Sequence, residues 1–571
     1  MKVKVPKIIT VLSVCLLCVL FSFVFFACKD KNDTENGVEE ITHVVSFDTD
    51  GGNAVASQTV KDGENAVQPI DPEKIGYSFL GWYKEGLETE FVFQSERITV
   101  DTTVYAKWNK KEFLINVLDN SAYGVTLSGG ALEQCITIDN EFEPILIEEN
   151  LGYKFLYYSV SGKNYYDNVI DIDFNTVSED ETVNIVCEYA TDELPIVNIN
   201  TENVEINSKI NYVDMIFSIE NCESELSDII GGIRLRGNTT STYPKKPYRI
   251  KFDKKQSLFG LEKSKSWVLL ADYLDPSCMH NYTAFSLGKE LDGLSFTPTP
   301  HHVNLYLNGE YEGLYVLCEQ IQENSGRIGI EKSIKADMTN LSDYNFYICM
   351  DESVINDTDA VLDETYFYLE DYNKYIELKY PEKSDFKSEE QFNAFFNDLK
   401  VYVKSVFDNV VQNDYQFISE NLDTASLIDY LIIDELMMER DHSYKSFNMY
   451  YIGEDNKLYF GPIWDYDWCL FTPWTSQPNS SYDLSDVEYY SNAFFQCVHD
   501  TPELYSALKN RYNTISSDIL DDFINEIMLY EYSIEQSSIL NAQKWYSEMD
   551  SDVREKNVVF LTRFLIYRKT F

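Results

Sequence analysis

The pattern of apolar residues changes period at Leu194-Pro195, and that change limits the folds open to this chain. Before it, apolar and polar residues alternate in short runs between glycine- and aspartate-bearing turns, the two-residue period of half-buried strands. After it, strand-like runs such as IRLRG, PYRIKF and SWVLLA are followed by segments with the 3.6-residue period of helices. This order predicts an α+β fold, with two small β-rich domains N-terminal to one large mixed domain. The 571 residues are 44% hydrophobic and 15% aromatic, enough apolar material for several cores.

Four runs fill residues 44–108: VVSFDTDGG, AVASQTVKDGE, IGYSFLGWYKEG and ITVDTTVYAKW. Glycines suit the tight turns between them, and the aromatics give a small sheet enough core to fold. Asp50-Gly51-Gly52, Gly76-Tyr77-Ser78-Phe79-Leu80-Gly81-Trp82-Tyr83 and Tyr105-Ala106-Lys107-Trp108 resemble the marks of a Listeria–Bacteroides (internalin B-type) repeat, which sets a domain at 43–109. That resemblance implies a spacer or a weak adhesion module touching a cell wall or surface. In residues 110–192, Gly152-Tyr153-Lys154-Phe155-Leu156-Tyr157 echoes the first copy and VNIVCEYA echoes its last strand, so a degenerate second β domain is expected.

Lys2, Lys4 and Lys7 precede an apolar run from Ile8 to Phe26 and then Ala27-Cys28, the order of a secretory signal. A small residue before cysteine at the end of such a run resembles a lipobox. Residues 1–27 would then be removed, the Cys28 thiol diacylated, and residues 28–42 left as a polar tether. Phe25 departs from the aliphatic residue usual at its position, and the run is long enough to span a bilayer uncleaved. Both readings export the bulk of the chain and anchor it to a membrane. The net charge of −49, from 95 acidic against 46 basic residues, repels phosphate backbones and argues against nucleic-acid binding. It favours basic peptides and divalent cations instead. Beyond Cys15, Cys18 and Cys28, the cysteines are scattered from Cys135 to Cys497 with no CxxC pair, so no zinc site is encoded. A Cys135–Cys187 disulfide is open to an exported chain, whereas thiols in apolar strands such as YVLCEQI read as buried.

The chemistry concentrates in the large domain, 193–571. The apolar spacing Phe392, Phe395, Phe396, Leu399, Val403, Val406 predicts a helix over 390–407, with Ser388 and Gln391 as its capping box. A second helix is expected over 424–439. Then come a loop containing Asp441, His442 and Asn448, two strands joined at Gly453-Glu454-Asp455-Asn456, and Trp464-Asp465-Tyr466-Asp467. Phosphoryl transfer needs a carboxylate to orient the nucleophile and oxygen ligands to hold Mg²⁺ on the phosphates. Protein kinases set these groups out as loop, hairpin and metal-binding aspartate, the order found here.

With these blocks, Arg236-Gly237-Asn238-Thr239-Thr240, Lys245-Lys246-Pro247-Tyr248-Arg249-Ile250-Lys251, and Asn308-Gly309 with Gly313-Leu314-Tyr315 and Glu319, residues 195–570 resemble the spore-coat protein H (CotH) kinase family. The resemblance implies a divergent protein-kinase-like domain that transfers the γ-phosphate of ATP, with Mg²⁺ or Mn²⁺, to Ser or Thr of a surface or spore-coat protein that is Ser-rich and basic. It makes Asp441 the catalytic carboxylate, and Asn448, Asp465 and Asp467 the metal ligands. Arg236 and Asn238 would meet the nucleotide, with Lys246 favoured over Lys251 for phosphate contact. Glu319 is read either at the adenine edge or as a solvent-facing acid. No His-Arg-Asp precedes the loop, the metal block reads Asp-Tyr-Asp, and no Ala-Pro-Glu follows, so activation-loop regulation is not expected. Two other readings stand beside this one: a catalytically silent surface scaffold, and a glycan hydrolase pairing Asp441 with Asp465.

Overall fold

The structure is a computed structural model that describes residues 40–118, 124–191, 193–324, 326–330, 334–356, 360–439, 441–470, 492–546 and 553–569. The signal segment, Cys28, most of the tether and Arg440 lie outside the described residues. The chain divides into two compact units, one ending at Glu112 and including Thr137–Asn140, the other made of Phe113–Ile136 and Glu141–Phe571.

In the first unit the four expected runs form a four-stranded sheet, in the order Gln58–Lys61, Thr42–Asp48, Thr102–Lys110, Tyr77–Tyr83. The two central strands are parallel and the outer ones antiparallel to them. Alternation turns Val45, Trp82, Val104 and Ala106 inward, where Phe91 and Phe93 complete a small core and Phe47 meets Trp82 edge-on at 4.9 Å.

The second β domain repeats this plan. Its sheet runs Glu133–Ile136, Phe113–Leu118, Glu181–Tyr189, Tyr153–Val160, again with a parallel central pair, and adds Lys163–Tyr165 at the edge. The Gly152-Tyr153 echo and the 183–190 echo thus occupy the strands equivalent to Tyr77–Tyr83 and Thr102–Lys110. This domain belongs to the same compact unit as the large domain. The Tyr153 hydroxyl donates to Gly309 O (2.6 Å) and the Tyr306 hydroxyl donates to Gly152 O (2.7 Å), while Tyr153, Tyr189 and Tyr306 pack together. Gly152 is needed there twice over: its φ is +86°, and a Cβ would lie 2.6 Å from the Tyr311 side chain.

The large domain opens with a closed seven-stranded barrel, in the order Ile196–Asn200, Val213–Glu220, Leu226–Leu235, Tyr248–Gln256, Ser264–Leu270, Glu310–Glu319, His301–Leu307. A parallel pairing of the first and last closes it, which removes free sheet edges. The Asn308-Gly309 turn joins the last two with both residues at positive φ, as the hairpin signal predicted.

Beyond the barrel lies a five-stranded sheet, Tyr366–Leu369, Lys374–Tyr380, Phe346–Met350, Phe447–Ile452, Lys457–Phe460, covered by helices. The helix Glu389–Val411 buries all six residues named for it, at about 2 kcal/mol for each large side chain fully removed from water. Ser388 Oγ accepts from Gln391 N as a cap should, but Gln391 Oε1 returns to Lys387 N rather than to Ser388. The helix Thr424–Met437 is buried along nearly its whole length and ends at Met438 in the left-handed region, two residues before the expected Glu439. That early end releases Glu439 and the loop after it into the site.

Candidate functional site

The site is a cleft between the barrel and the carboxylates that follow the 447–460 hairpin, lined by Arg236, Lys245, Asp272, Trp464, Asp465 and Asp467. The barrel strand Leu226–Leu235 runs into Arg236-Gly237-Asn238, and the loop closes where Arg236 N donates to Pro247 O (3.1 Å). Gly237 has φ +79°, and a Cβ there would stand 2.0 Å from Thr240 Oγ1, so the single glycine of this loop is a backbone requirement. The loop delivers Arg236 and Lys245 to the cleft. Arg236 is half-buried, with its guanidinium 5.0 Å over the Trp464 ring. Burial draws its pKa below the usual arginine value and Asp465 pulls it back up. Lys245 is fully buried, donates to Leu314 O (2.5 Å) and sits 4.4 Å over the Tyr315 ring. Burial lowers its pKa against the upward pull of Cys278, Asp272 and Glu312.

The same cleft carries acids. Asp465 is half-buried at φ +70° and accepts from Ser446 Oγ (3.2 Å). Asp467 is 8% exposed, and burial, together with the charges of Asp465 and Asp272, holds its carboxyl well above the usual range. Asp272, just after the strand Ser264–Leu270, is pushed up to about 7 by burial and by Asp275.

Asp441 is 6% exposed, takes an ion pair from Lys445 and a hydrogen bond from the Tyr444 hydroxyl. The charge of Asp465 also raises the Lys445 pKa, after burial, which lowers it, and Asp441, which raises it. Glu439 accepts from Asp441 N (2.6 Å) and is raised to about 8 by burial. His442 fixes the loop: Nδ1 lies 3.0 Å from both Asp434 oxygens and Nε2 is 2.8 Å from Trp464 O. Burial alone would lower its pKa, but Asp434 outweighs it and the imidazole rises to about 9. Both nitrogens therefore donate, and one buried imidazolium ties the 441 loop to the Trp464-Asp465 segment. The Tyr466 hydroxyl donates to the same Asp434 (2.6 Å).

Arg236, Asp465 and Asp467 thus meet in one cleft, with Asp441 beside it. The other expected residues lie elsewhere. Lys246 Nζ donates to Ser241 O (3.0 Å), and Lys251 is exposed near Tyr212; the cleft lysine is Lys245, one position earlier. Asn238 bonds Ser353 (2.6 Å) and Lys209 (3.1 Å). Glu319 is neither solvent-facing nor free: it is 4% exposed, pairs with Arg327 (3.1 Å) and accepts from Thr299 N (2.7 Å). Asn448 spends its carbonyl on the Tyr347 hydroxyl (2.7 Å) and its amide on Pro462 O (2.9 Å), so it braces the hairpin. Sequence reasoning missed Lys245, Asp272 and Lys445. A signal for Asp272 was present, a carboxylate directly after the buried run SWVLLA.

A β-rich lobe, a loop carboxylate, a hairpin and a carboxylate block after it, in that order along the chain, define a protein-kinase-like class. Residues 233–571, more than half the chain, match the CotH kinase protein family, and the chain belongs to that family. Residues 43–107 match the Listeria-Bacteroides repeat domain. Two proteins of Evansella cellulosilytica are similar over shorter stretches. One, described as a Gly-rich membrane protein, is 29% identical over 183 residues, 31% of this chain and 19% of that protein. The other, described as a membrane protein, is 34% identical over 115 residues, 20% of this chain and 16% of its own length. The matches therefore span less than a fifth of either relative. Among the described residues no helix is long and apolar enough to cross a membrane.

Proposed function

We propose that this cleft transfers the γ-phosphoryl group of ATP, held with Mg²⁺ or Mn²⁺, to a Ser or Thr hydroxyl of a protein outside the cytoplasm. The observation that carries the reading is that Arg236, Lys245, Asp465 and Asp467 line one cleft. Two cations, one half-buried and one buried, suit phosphate oxygens, and two carboxylates one residue apart suit a divalent cation on those oxygens. The cation would neutralise charge on the phosphates when bound. Asp441 would orient the acceptor hydroxyl and take its proton as the new O–P bond forms and the bond to the leaving ADP breaks. Lys445, paired to Asp441 and close to Asp465, would meet the charge that develops between them. A net charge of −49 supports a basic, Ser-rich acceptor. Anchoring through Cys28, at a cell or spore surface, belongs to the same proposal, and the relatives described as membrane proteins support it.

The two acidic roles are separable. Asp441→Asn is expected to keep Mg²⁺-dependent ATP binding and lose transfer by about 10²–10⁴-fold, whereas Asp465→Asn is expected to lose the metal dependence of binding itself. Equal transfer by wild type and both variants would refute the assignment. The silent-scaffold reading draws on one observation, that the Asp441 carboxylate is already engaged by Tyr444 and Lys445. An absence of any ATP-induced stabilisation would favour it.

A further inference from the structure

Asp272 has a carboxylate that the roles assigned so far do not use. It is 4% exposed, lines the cleft, and holds φ +46° directly after the last barrel strand before the helix His280–Glu290. Its Oδ1 accepts from Asn281 Nδ2 (2.7 Å), and Asn281 Oδ1 in turn accepts from Tyr466 N (2.9 Å), the residue between Asp465 and Asp467. One asparagine thus pins Asp272 to the carboxylate block. The other oxygen, Oδ2, is buried and has no hydrogen-bond partner among the described residues. A buried carboxylate oxygen left unbonded is costly, and a catalytic role, an ion or an ordered water is what offsets such a cost in native proteins.

Resting on the cation-dependent reading above, we infer that Asp272 is the third carboxylate of the cation site in this cleft, acting with Asp465 and Asp467. Among the described residues no group of three or more acidic, histidine or cysteine side chains is placed to hold a metal ion by itself. Mg²⁺ and Mn²⁺ do not need one: they keep several waters and take one or two protein carboxylates with the phosphate oxygens, so a third acid can act on the hydrated ion. The neighbouring Asp275 is unsuited to this role, because its oxygens cap the following helix at Ser277 N (2.9 Å) and His280 N (2.8 Å).

The test is a titration of the full chain with Mn²⁺ in the presence of a non-hydrolysable ATP analogue, free Mn²⁺ being read by electron paramagnetic resonance. Asp272→Asn preserves size and the acceptor for Asn281, so the fold is kept. The expected result is Mn²⁺ affinity weakened by about tenfold or more, with a metal-free melting temperature equal to or above wild type. Asp272→Glu, which keeps the charge, is expected to recover part of the affinity. Wild-type binding with unchanged affinity in Asp272→Asn overturns the inference alone. No Mn²⁺ binding by wild type overturns the cation-dependent reading as well.

Discussion

Replacing Asp434 by asparagine tests how the loop carrying Asp441 is held. The side chain keeps its volume and an acceptor for the Tyr466 hydroxyl, but it loses the charge that faces His442. Both partners are 1% exposed, so solvent screens the pair little. His442 at about 9 lies roughly 2.5 above an ordinary histidine, which at about 1.4 kcal/mol per pH unit sets an upper bound near 3.5 kcal/mol. The two partners disagree in sign. Pairing raises the imidazole, yet burial also raises the Asp434 carboxyl above its usual value, and that desolvation offsets part of the gain. We expect a net loss of about 2 kcal/mol. The pH dependence follows from the same shifts. The His442 contribution is complete below about pH 6.5 and fades as pH rises through 9, while Asp434 above its own raised pKa becomes a buried charge with a weakening partner. Urea unfolding followed by tryptophan fluorescence should therefore show the largest gap between wild type and Asp434→Asn near pH 6.5, and a gap that closes toward pH 9.5. A gap below about 0.5 kcal/mol, or one unchanged between these pH values, would refute the ion-pair account.

Three further outcomes separate residues that the sequence places side by side. Lys245→Met should weaken ATP binding by about 10- to 100-fold in calorimetry, while Lys246→Met leaves it within about twofold, because only Lys245 lines the cleft. Glu319→Gln should cost about 3 kcal/mol in unfolding experiments by stranding Arg327, with ATP affinity unchanged; a fall in affinity would restore an adenine-edge role for Glu319. Ser388→Ala should cost about 1 kcal/mol through loss of its bond to Gln391 N, with no change in activity.

The elements that could be read from sequence are those set by local periodicity. The six apolar positions of the 389–411 helix, the Asn308-Gly309 hairpin and the alternating strands of both β domains depend on neighbours a few residues away, and they folded as their spacing dictates. The repeat echo at Gly152-Tyr153 was visible, but its second use was not. Packing of Tyr153 and Tyr189 on Tyr306 joins positions more than 100 residues apart. Among the proposed site residues, Asp441, Asp465 and Asp467 could be named because they stand in the order that protein kinases use, and the fold brings Asp465 and Asp467 to the cleft. Lys245 could not be told from Lys246, since Pro247 breaks the strand alternation that would have decided which points inward. Asn448 was read as a ligand from its position, whereas Tyr347, 101 residues earlier, claims its carbonyl. Asp272 gained its meaning only when Asn281 and the Tyr466 amide came together around it.

The most direct measurement is phosphate incorporation from γ-labelled ATP into a basic Ser-rich peptide by the purified chain, with and without Mg²⁺, beside Asp441→Asn and Asp465→Asn. The account predicts metal-dependent labelling that both variants lose. Absence of labelling, together with no ATP-induced rise in melting temperature, would contradict it and shift attention from the cleft to the β repeats.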